Sequence, residues 1–469
     1  MYLFYTAPLE QSLQRISRFT LEAGKLVADS EKILLEIPTD RECCHSGGSL
    51  EFGRDRQLYI GVGDNTHPFK SQGFTPIDER PGHALWDAQR SAANSMDLRG
   101  KILRITVQDD GGYSIPEGNL FPQGTAQTRP EIYIMGCRNP FRFTLDSASG
   151  DLIWADLGPD ARKADPERGP RGMGEFNRAT EAGFWGWPYS VGNNQPYVDY
   201  DFARSQSGAP FDPQRPRNDS PNSNGLVQLP PSRGAFVWYS YGVQPEFPWP
   251  GAGGVNPMVG PVFYRENFAE SVNTFPAYFE GGLFLYEWAR DWIAVGHFDR
   301  TGARLRRVEP FLPDHQFSHP MDMLFASDGN LYVLEYGRKW KQRNPDASLN
   351  RISYHAQGTD ADNEALIGKP ELEAGLPEGQ RLVHTSGCLG CHDEQALVNG
   401  PSFRQVAARY SARDSDYLAG KILEGGAGVW GDTHMPPHPQ LTSSEINAVV
   451  DWILSLGEAG RQGEQGHQR

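Results

Sequence analysis

The strongest constraint on this chain is a template that returns three times. An alternating apolar strand runs into a polar turn, and a second strand opens on Leu-Tyr or Leu-Ile. It spans Leu50–Asp64, Phe143–Asp156 and Asp322–Glu335. Alternation with period 2 about a turn is the hairpin signal, because successive strand side chains point to opposite faces. Hairpins returning at long, irregular spacing point to small sheets repeated radially with long insertions, a β-propeller; a β-sandwich would show similar hairpins. The 52 Gly, 36 Pro, 24 Phe, 18 Tyr and 11 Trp suit many short strands joined by loops, not one helical domain. Residues 159–260, dense in Pro, Gly and Asn, read as loops long enough to be functional or disordered.

Beyond residue 355 the periodicity changes. Residues 356–376 are polar without a strand signal and read as a linker. Thr442-Ser-Ser-Glu445 is a capping-box pattern, and Ile446, Val449, Val450, Ile453 and Leu454 then share one helical face. From 458 the chain is Gly, Gln and charge, which predicts a disordered tail. The expected plan is an all-β body over 1–355, the linker 356–376, an all-α module over 377–457 and the tail 458–469.

With 44 basic and 59 acidic residues the net charge is −15, which argues against a nucleic-acid partner. No apolar run reaches the roughly 18 residues of a transmembrane segment. Met1-Tyr-Leu-Phe-Tyr-Thr6 has no basic stretch leading into an apolar one, so no signal peptide is visible.

Cys388-Leu-Gly-Cys391-His392 is the Cys-x-x-Cys-His signature of covalent c-type haem attachment. Two thiols add to the porphyrin vinyl groups, and the adjacent His reaches the iron. The pentapeptide alone also fits part of a zinc site, given further ligands. Two features decide between them, a family resemblance of the module as a whole and Met435, which lies in the Pro-stiffened loop Trp430–His438, suited to the sixth iron position. His/Met ligation raises the reduction potential and leaves no open position, which suits electron transfer. His434 and His438 flank Met435 and are the rival ligands.

The module over 377–457 resembles class I cytochrome c along its whole length. The resemblance rests on Cys388–His392, Gly400-Pro401, Gly425–Gly431, Met435-Pro-Pro and the last helix with Trp452. It implies that His392 is the proximal ligand, steadied by the Pro401 carbonyl, and Met435 the distal one. It also implies haem attachment outside the cytoplasm, hence a periplasmic or exported protein whose signal is missing from an incomplete N-terminus.

The β-rich body resembles the glucose/sorbosone dehydrogenase family, soluble quinoprotein sugar dehydrogenases with a six-bladed propeller. The motifs are His45-Ser-Gly-Gly-Ser-Leu50, Gly63-Asp64-Asn65, Asp97–Arg104, Gly136–Phe141, Gly158-Pro159, Gly183–Pro188, Trp288-Ala-Arg-Asp291 and Asp328–Tyr332. By this resemblance His45 is the base that takes the sugar C1 hydroxyl proton while hydride passes to pyrroloquinoline quinone (PQQ), and Asp64 orients it. Arg138 and Asn139 match groups contacting the anionic quinone, Arg290 matches a further arginine clamp, and the Gly158 and Pro159 carbonyls match calcium ligands. A neutral imidazole suits that role as a base poised near the working pH. Without the family, His45 reads as a residue bonding a hairpin, and Arg138-Asn139-Pro140 as a structural turn.

Several positions depart from the family. Cys44 stands where an Asp is usual, and Gly174 replaces an acid before Glu175, which weakens a second calcium site. Met1-Tyr-Leu-Phe-Tyr5 resembles the middle of a first blade, so that blade is expected to be incomplete. Cys44 adjoins His45 and Cys137 adjoins Arg138, so an oxidised pair is expected beside the site, either Cys43–Cys44 or Cys44–Cys137; the alternative is buried free thiols. Together these features imply a quinohaemoprotein with PQQ, calcium and haem c, a sugar substrate and a soluble or membrane-associated acceptor such as another cytochrome. The competing implication is a carbohydrate- or partner-binding propeller carrying an electron-transfer cytochrome.

Overall fold

A computed structural model of the chain describes residues 1–8, 10–41, 44–269, 271, 274–299, 304–340, 343–355, 375–431 and 435–465. The chain forms two compact units, Met1–Ser240 with Pro257–Val262, and Tyr241–Asn256 with Phe263–Arg469. Their boundary falls inside the expected all-β body; of the expected linker, 356–374 lie outside the described residues.

The first unit holds three successive sheets. Tyr2–Thr6, Leu13–Glu22 and Lys25–Pro38 form an antiparallel meander. In the second sheet Leu50–Phe52, Gln57–Val62, Lys101–Val107 and Ile132–Met135 pair in that order, with Gly183–Phe184 added in parallel to the last. The third orders Phe143–Leu145, Leu152–Asp156, Gly174–Ala179 and Val237–Tyr239. Ile16, Ile37, Leu58, Ile60, Leu103 and Ile132 belong to one core cluster of this unit and are fully buried.

The second unit holds two antiparallel strand groups. One is Gly282–Glu287, Trp292–Phe298 and Leu305–Phe311; the other is Pro320–Phe325, Leu331–Glu335 and Ser348–Ile352. Phe263, Phe275, Phe284, Phe311 and Phe325 interlock beside them, mostly edge-to-face or tilted, which suits the charge distribution of aromatic rings. All three hairpins expected from the repeated template are present, and the five sheets of three or more strands are blade-like. A sixth is not found among the described residues.

The expectation of loops over 159–260 is corrected by Gly174–Ala179, which pairs along Leu152–Asp156. Its alternation is hidden because Glu175 and Asn177 are as buried as Phe176 between them. A polar residue turned into a protein interior carries no apolar signature.

Four helices make the C-terminal module: α1 (Glu378–Thr385), α2 (Phe403–Arg409), α3 (Ser415–Glu424) and α4 (Ser443–Gln465). The expected capping box is formed: the Thr442 N–H donates to Glu445 Oε2 at 2.7 Å, and the Glu445 N–H to Thr442 Oγ1 at 3.4 Å. Ile446, Val449, Val450 and Ile453 are buried against Leu382, Val383, Phe403 and Leu418. At Gly379 a Cβ would lie 2.0 Å from the Ala448 carbonyl oxygen, so α1 and α4 meet at glycine distance. Helix α4 continues through Gln465, past residue 458 where the disordered tail was expected to begin, while 466–469 lie outside the described residues. Among the described residues no helix is long and apolar enough to cross a membrane.

Candidate active site and haem centre

In the first unit, His45 follows the meander and sits ahead of the strand Leu50–Phe52, held at a positive φ of 58°. Asp64 closes the strand Gln57–Val62. A Cβ at Gly63 would lie 2.0 Å from the His45 carbonyl oxygen, so glycine there lets the two segments touch. The result is a 2.7 Å hydrogen bond between His45 Nδ1 and Asp64 Oδ1.

Asp64 is fully buried and anchored on three sides. Its Oδ2 accepts from Trp187 Nε1 at 2.8 Å, its Oδ1 from the Thr66 N–H at 2.9 Å, and its own N–H donates to the Arg138 carbonyl at 2.8 Å. Burial opposes its charge, but His45 and Arg138 beside it hold the carboxyl below its ordinary range. Burial, then the Arg138 charge, push His45 below its usual value, although Asp64 opposes them. The imidazole is therefore neutral near pH 7. An ionised Asp64 only accepts, so the proton sits on Nδ1 and Nε2 carries the lone pair. Among the described residues none hydrogen-bonds to that Nε2.

Arg138 is 4% exposed, yet its guanidinium donates only from Nη1 to the Leu157 carbonyl, at 3.1 Å, among the described residues. It makes no ion pair with a described carboxylate. A buried cation with unfilled donors fits an anionic ligand. Asn139 instead braces the loop carrying His45, since its Oδ1 accepts the Gly47 N–H at 3.0 Å. Both backbone N–H groups, of Arg138 and Asn139, are capped by Asp156 at 2.8 and 2.6 Å.

Sequence reasoning passed over Asp156, Glu175 and Trp187 as site residues. Asp156 and Glu175 are register partners on neighbouring strands. Burial pushes Asp156 up to about 7; burial together with the Asp156 charge pushes Glu175 up to about 8. The motif around Trp187 was visible in the sequence, but its bond to Asp64 crosses most of the unit and left no local signal.

The Gly158 and Pro159 backbone is pressed against its neighbours: the Pro159 oxygen occupies the place where a Gly172 side chain would begin, and the Met173 oxygen does the same at Gly158. No group of three or more His, Cys, Asp or Glu able to hold a metal ion occurs among the described residues. Arg290 lies in the other unit, where its guanidinium donates to the carbonyls of Gly254 (2.6 Å), Pro250 (2.9 Å), Gly251 (2.8 Å) and Gly253 (3.3 Å). It thus fastens the loop 250–254. Cys44 is disulfide-bonded while Cys137 is a buried free thiol, which overturns the Cys44–Cys137 alternative; Cys43 lies outside the described residues.

The candidate haem-binding residues lie in the second unit. Cys388–Gly390 makes a single 3-10 turn after α1, and neither Cys388 nor Cys391 is in a disulfide. His392 Nδ1 donates to the Pro401 carbonyl at 2.7 Å, which leaves Nε2 for a metal, and burial keeps the ring neutral. Phe403 stacks on that imidazole at 5.4 Å and meets Trp452 edge-on. Met435 is placed by a two-bond bridge to Gly426 (3.0 and 2.9 Å), and it lines one apolar cleft together with Cys388, Cys391, His392, Leu418 and Ile422. An apolar cleft with two thiols at one rim and an imidazole and a thioether in its lining fits haem c.

Of the rival ligands, His438 also lines the cleft, but its ring is engaged by Gln440 at 3.2 Å and by the Ser386 backbone. Burial, then the neighbouring His392, push it down to about 4. His434 lies outside the described residues.

Comparison with known proteins agrees with this division. The sequence model of the Glucose / Sorbosone dehydrogenase family matches residues 1–213, and that of Cytochrome c matches residues 376–457. Cytochrome c-552 of Hydrogenobacter thermophilus is 44% identical over 79 residues, 16% of this chain and 80% of that protein. The HIPL2 protein of Arabidopsis thaliana is 29% identical over 197 residues, 39% of this chain but only 22% of that protein. Among solved structures, a Thermus thermophilus glucose dehydrogenase is similar at 21% identity and a TM-score of 0.47, covering 75% of this chain and 78% of that one. The PQQ-bound aldose sugar dehydrogenase of Streptomyces coelicolor is similar at 16% identity and a TM-score of 0.44, covering 75% and 74%. This chain therefore belongs to the cytochrome c family through residues 376–457, and ahead of them residues 1–213 match the model of the Glucose / Sorbosone dehydrogenase family.

Proposed function

We propose that the chain is a periplasmic quinohaemoprotein that oxidises an aldose in a six-bladed propeller over 1–355 and passes the electrons to a haem c in the module over 377–457. The observation that carries this reading is the dyad of His45 and Asp64 next to a buried, underfilled Arg138, in one chain with a haem-attachment motif.

His45 Nε2 is the base that accepts the proton of the sugar C1 hydroxyl. The imidazolium so formed is stabilised by Asp64, which Trp187 and the Thr66 N–H keep in place. PQQ, when bound, supplies the two-electron acceptor for the C1 hydride. Arg138 offers its unfilled donors to the quinone carboxylates, with Asn139 beside it and Arg290 as a further candidate whose guanidinium is already shared with the loop 250–254. The Gly158 and Pro159 carbonyls are the candidate ligands for calcium, a hard cation that takes oxygen ligands. Haem c, bonded to Cys388 and Cys391 and ligated by His392 and Met435, would supply the one-electron carrier to an external acceptor such as another cytochrome.

The engaged Arg290 favours a second reading, a sugar- or partner-binding domain with no quinone. Titrating the haem-loaded protein with PQQ and calcium, then adding aldoses, separates the two. Haem reduction that needs both PQQ and sugar supports the dehydrogenase; haem that stays oxidised across a broad sugar panel refutes it.

A further inference from the structure

The segment Trp288-Ala-Arg-Asp291 links two strands of the second unit, Gly282–Glu287 and Trp292–Phe298. It is fastened from several directions. Glu287 Oε1 accepts the N–H groups of Asn256 and Ala289 at 2.6 and 3.1 Å, Arg290 holds the loop 250–254, and Asp291 Oδ1 meets the His319 N–H and Nδ1 at 2.7 and 2.8 Å. So many anchors on four residues fix where the Trp288 indole stands.

That indole is built into an aromatic stack. His319 lies flat on it at 4.1 Å with a 29° tilt, and Trp340 meets it edge-on at 5.5 Å. Its Nε1 is buried without a hydrogen-bond partner among the described residues, so ring contact rather than hydrogen bonding places it. The far edge of the ring faces the haem-attachment turn: a Cβ at Gly390 would stand 3.8 and 3.9 Å from two carbons of the Trp288 six-membered ring, ordinary contact distance. Beside it the Trp340 N–H donates to the Leu389 carbonyl at 3.3 Å, and Lys339 Nζ lies 3.6 Å from Asp393. Arg338 and Lys339 also depress His384 on α1, after burial.

We infer that Trp288, backed by His319 and Trp340, is the positioning residue of an intrachain docking seat that receives the Cys388–Cys391 turn and holds the cytochrome module in one pose. The seat deepens the proposed function and rests on it for its purpose. A module merely tethered samples many poses about its linker; a seated one is held against the strands that carry Trp288, within the same compact unit. The contacts contribute unequally. The half-exposed Lys339–Asp393 pair adds little on its own, whereas the indole surface resists solvent and sets the geometry.

The test uses the full haem-loaded chain and needs no sugar for its first arm. In the oxidised protein the haem methyl proton signals report both the surroundings of the haem and the tumbling rate of the body that carries it. The seat predicts, in the unaltered protein, linewidths clearly broader than a freely tumbling module of residues 377–457 would give. Trp288→Ala narrows them several-fold and moves the methyl signals; Trp288→Phe, which keeps a ring, preserves both. Narrow lines in the unaltered protein, or unchanged lines in Trp288→Ala, overturn the proposal. If Trp288→Ala does not accumulate with haem, Trp340→Ala combined with Lys339→Glu carries the same expectation and the same refutation. The second arm is sugar-driven haem reduction in a single turnover, which slows by roughly tenfold or more in Trp288→Ala while reduction by a small chemical reductant stays the same. An unchanged rate overturns the positioning role. Failure of any sugar to reduce the unaltered protein refutes the proposed function instead, and leaves the linewidth result to decide the seat.

Discussion

The haem centre and the candidate sugar site are built on opposite plans. The His392–Pro401 bond that fixes the proximal imidazole closes over nine residues of chain. The His45–Asp64 bond closes over 19 residues, and the Trp187 bond that holds Asp64 over 123. A short loop states its chemistry locally, so a change there acts on that chemistry alone. A site assembled from distant strands depends on the fold being right before any side chain can act. Each site leaves one imidazole nitrogen to a ligand, His392 Nε2 in the helical module and His45 Nε2 in the β-rich unit, where most of the Arg138 donors are also unfilled among the described residues.

Changes at the haem centre should break this comparison most completely. His392→Ala removes the proximal imidazole, and Cys388→Ser one thioether. Both are expected to abolish normal haem spectra while the near-ultraviolet signal of the β-rich unit persists. Loss of structure in both units at once would contradict the local plan.

In the sugar site the expected losses are smaller and graded. His45→Ala should lower sugar-driven haem reduction by about 10²–10⁴-fold, the range of general base catalysis, with the haem spectrum unchanged. Asp64→Asn keeps the shape but no longer enforces the Nδ1–H tautomer, and should cost about as much. The pH profile carries a sign. Only neutral His45 is a base, so activity rises with pH through the His45 value, which burial and Arg138 set below the ordinary 6.5. Asp64 raises that value, so any activity left in Asp64→Asn should have its acid limb at lower pH. An acid limb that moves upward would show that Asp64 does not face His45 as a charge.

The smallest effect sharpens the local plan. Gly379→Ala adds helix propensity of about 1 kcal/mol, but its Cβ would lie 2.0 Å from the Ala448 carbonyl. Overpacking costs about 1–3 kcal/mol, so the module should melt a few degrees lower by haem absorbance, with sugar oxidation by the other unit untouched. A higher melting temperature would mean that α1 and α4 do not cross there.

What could be read in the sequence follows the same divide. The Cys-x-x-Cys-His motif, the capping box at Thr442 and the three hairpins were visible, because each is written within a short window of chain; the Pro401 carbonyl came from resemblance to a family. The strand Gly174–Ala179 was not, since its buried Glu175 and Asn177 mask the alternation. Nor was the engagement of Arg290 with the loop 250–254, which only tertiary structure brings together. Resemblance to a family supplied His45 and Asp64; the structure added why they fit, through the glycine at 63 and the bond from Trp187.

The central claim is that sugar oxidation in the propeller is coupled to this haem. The most direct measurement is an anaerobic titration of the PQQ- and calcium-loaded protein with an aldose, following haem absorbance. An aldose gives up two electrons and each haem takes one, so the account predicts up to two haems reduced per sugar oxidised, with reduction slowed about 10²–10⁴-fold in His45→Ala. Sugar oxidised while the haem stays ferric, or haem reduced equally well in His45→Ala, would contradict it.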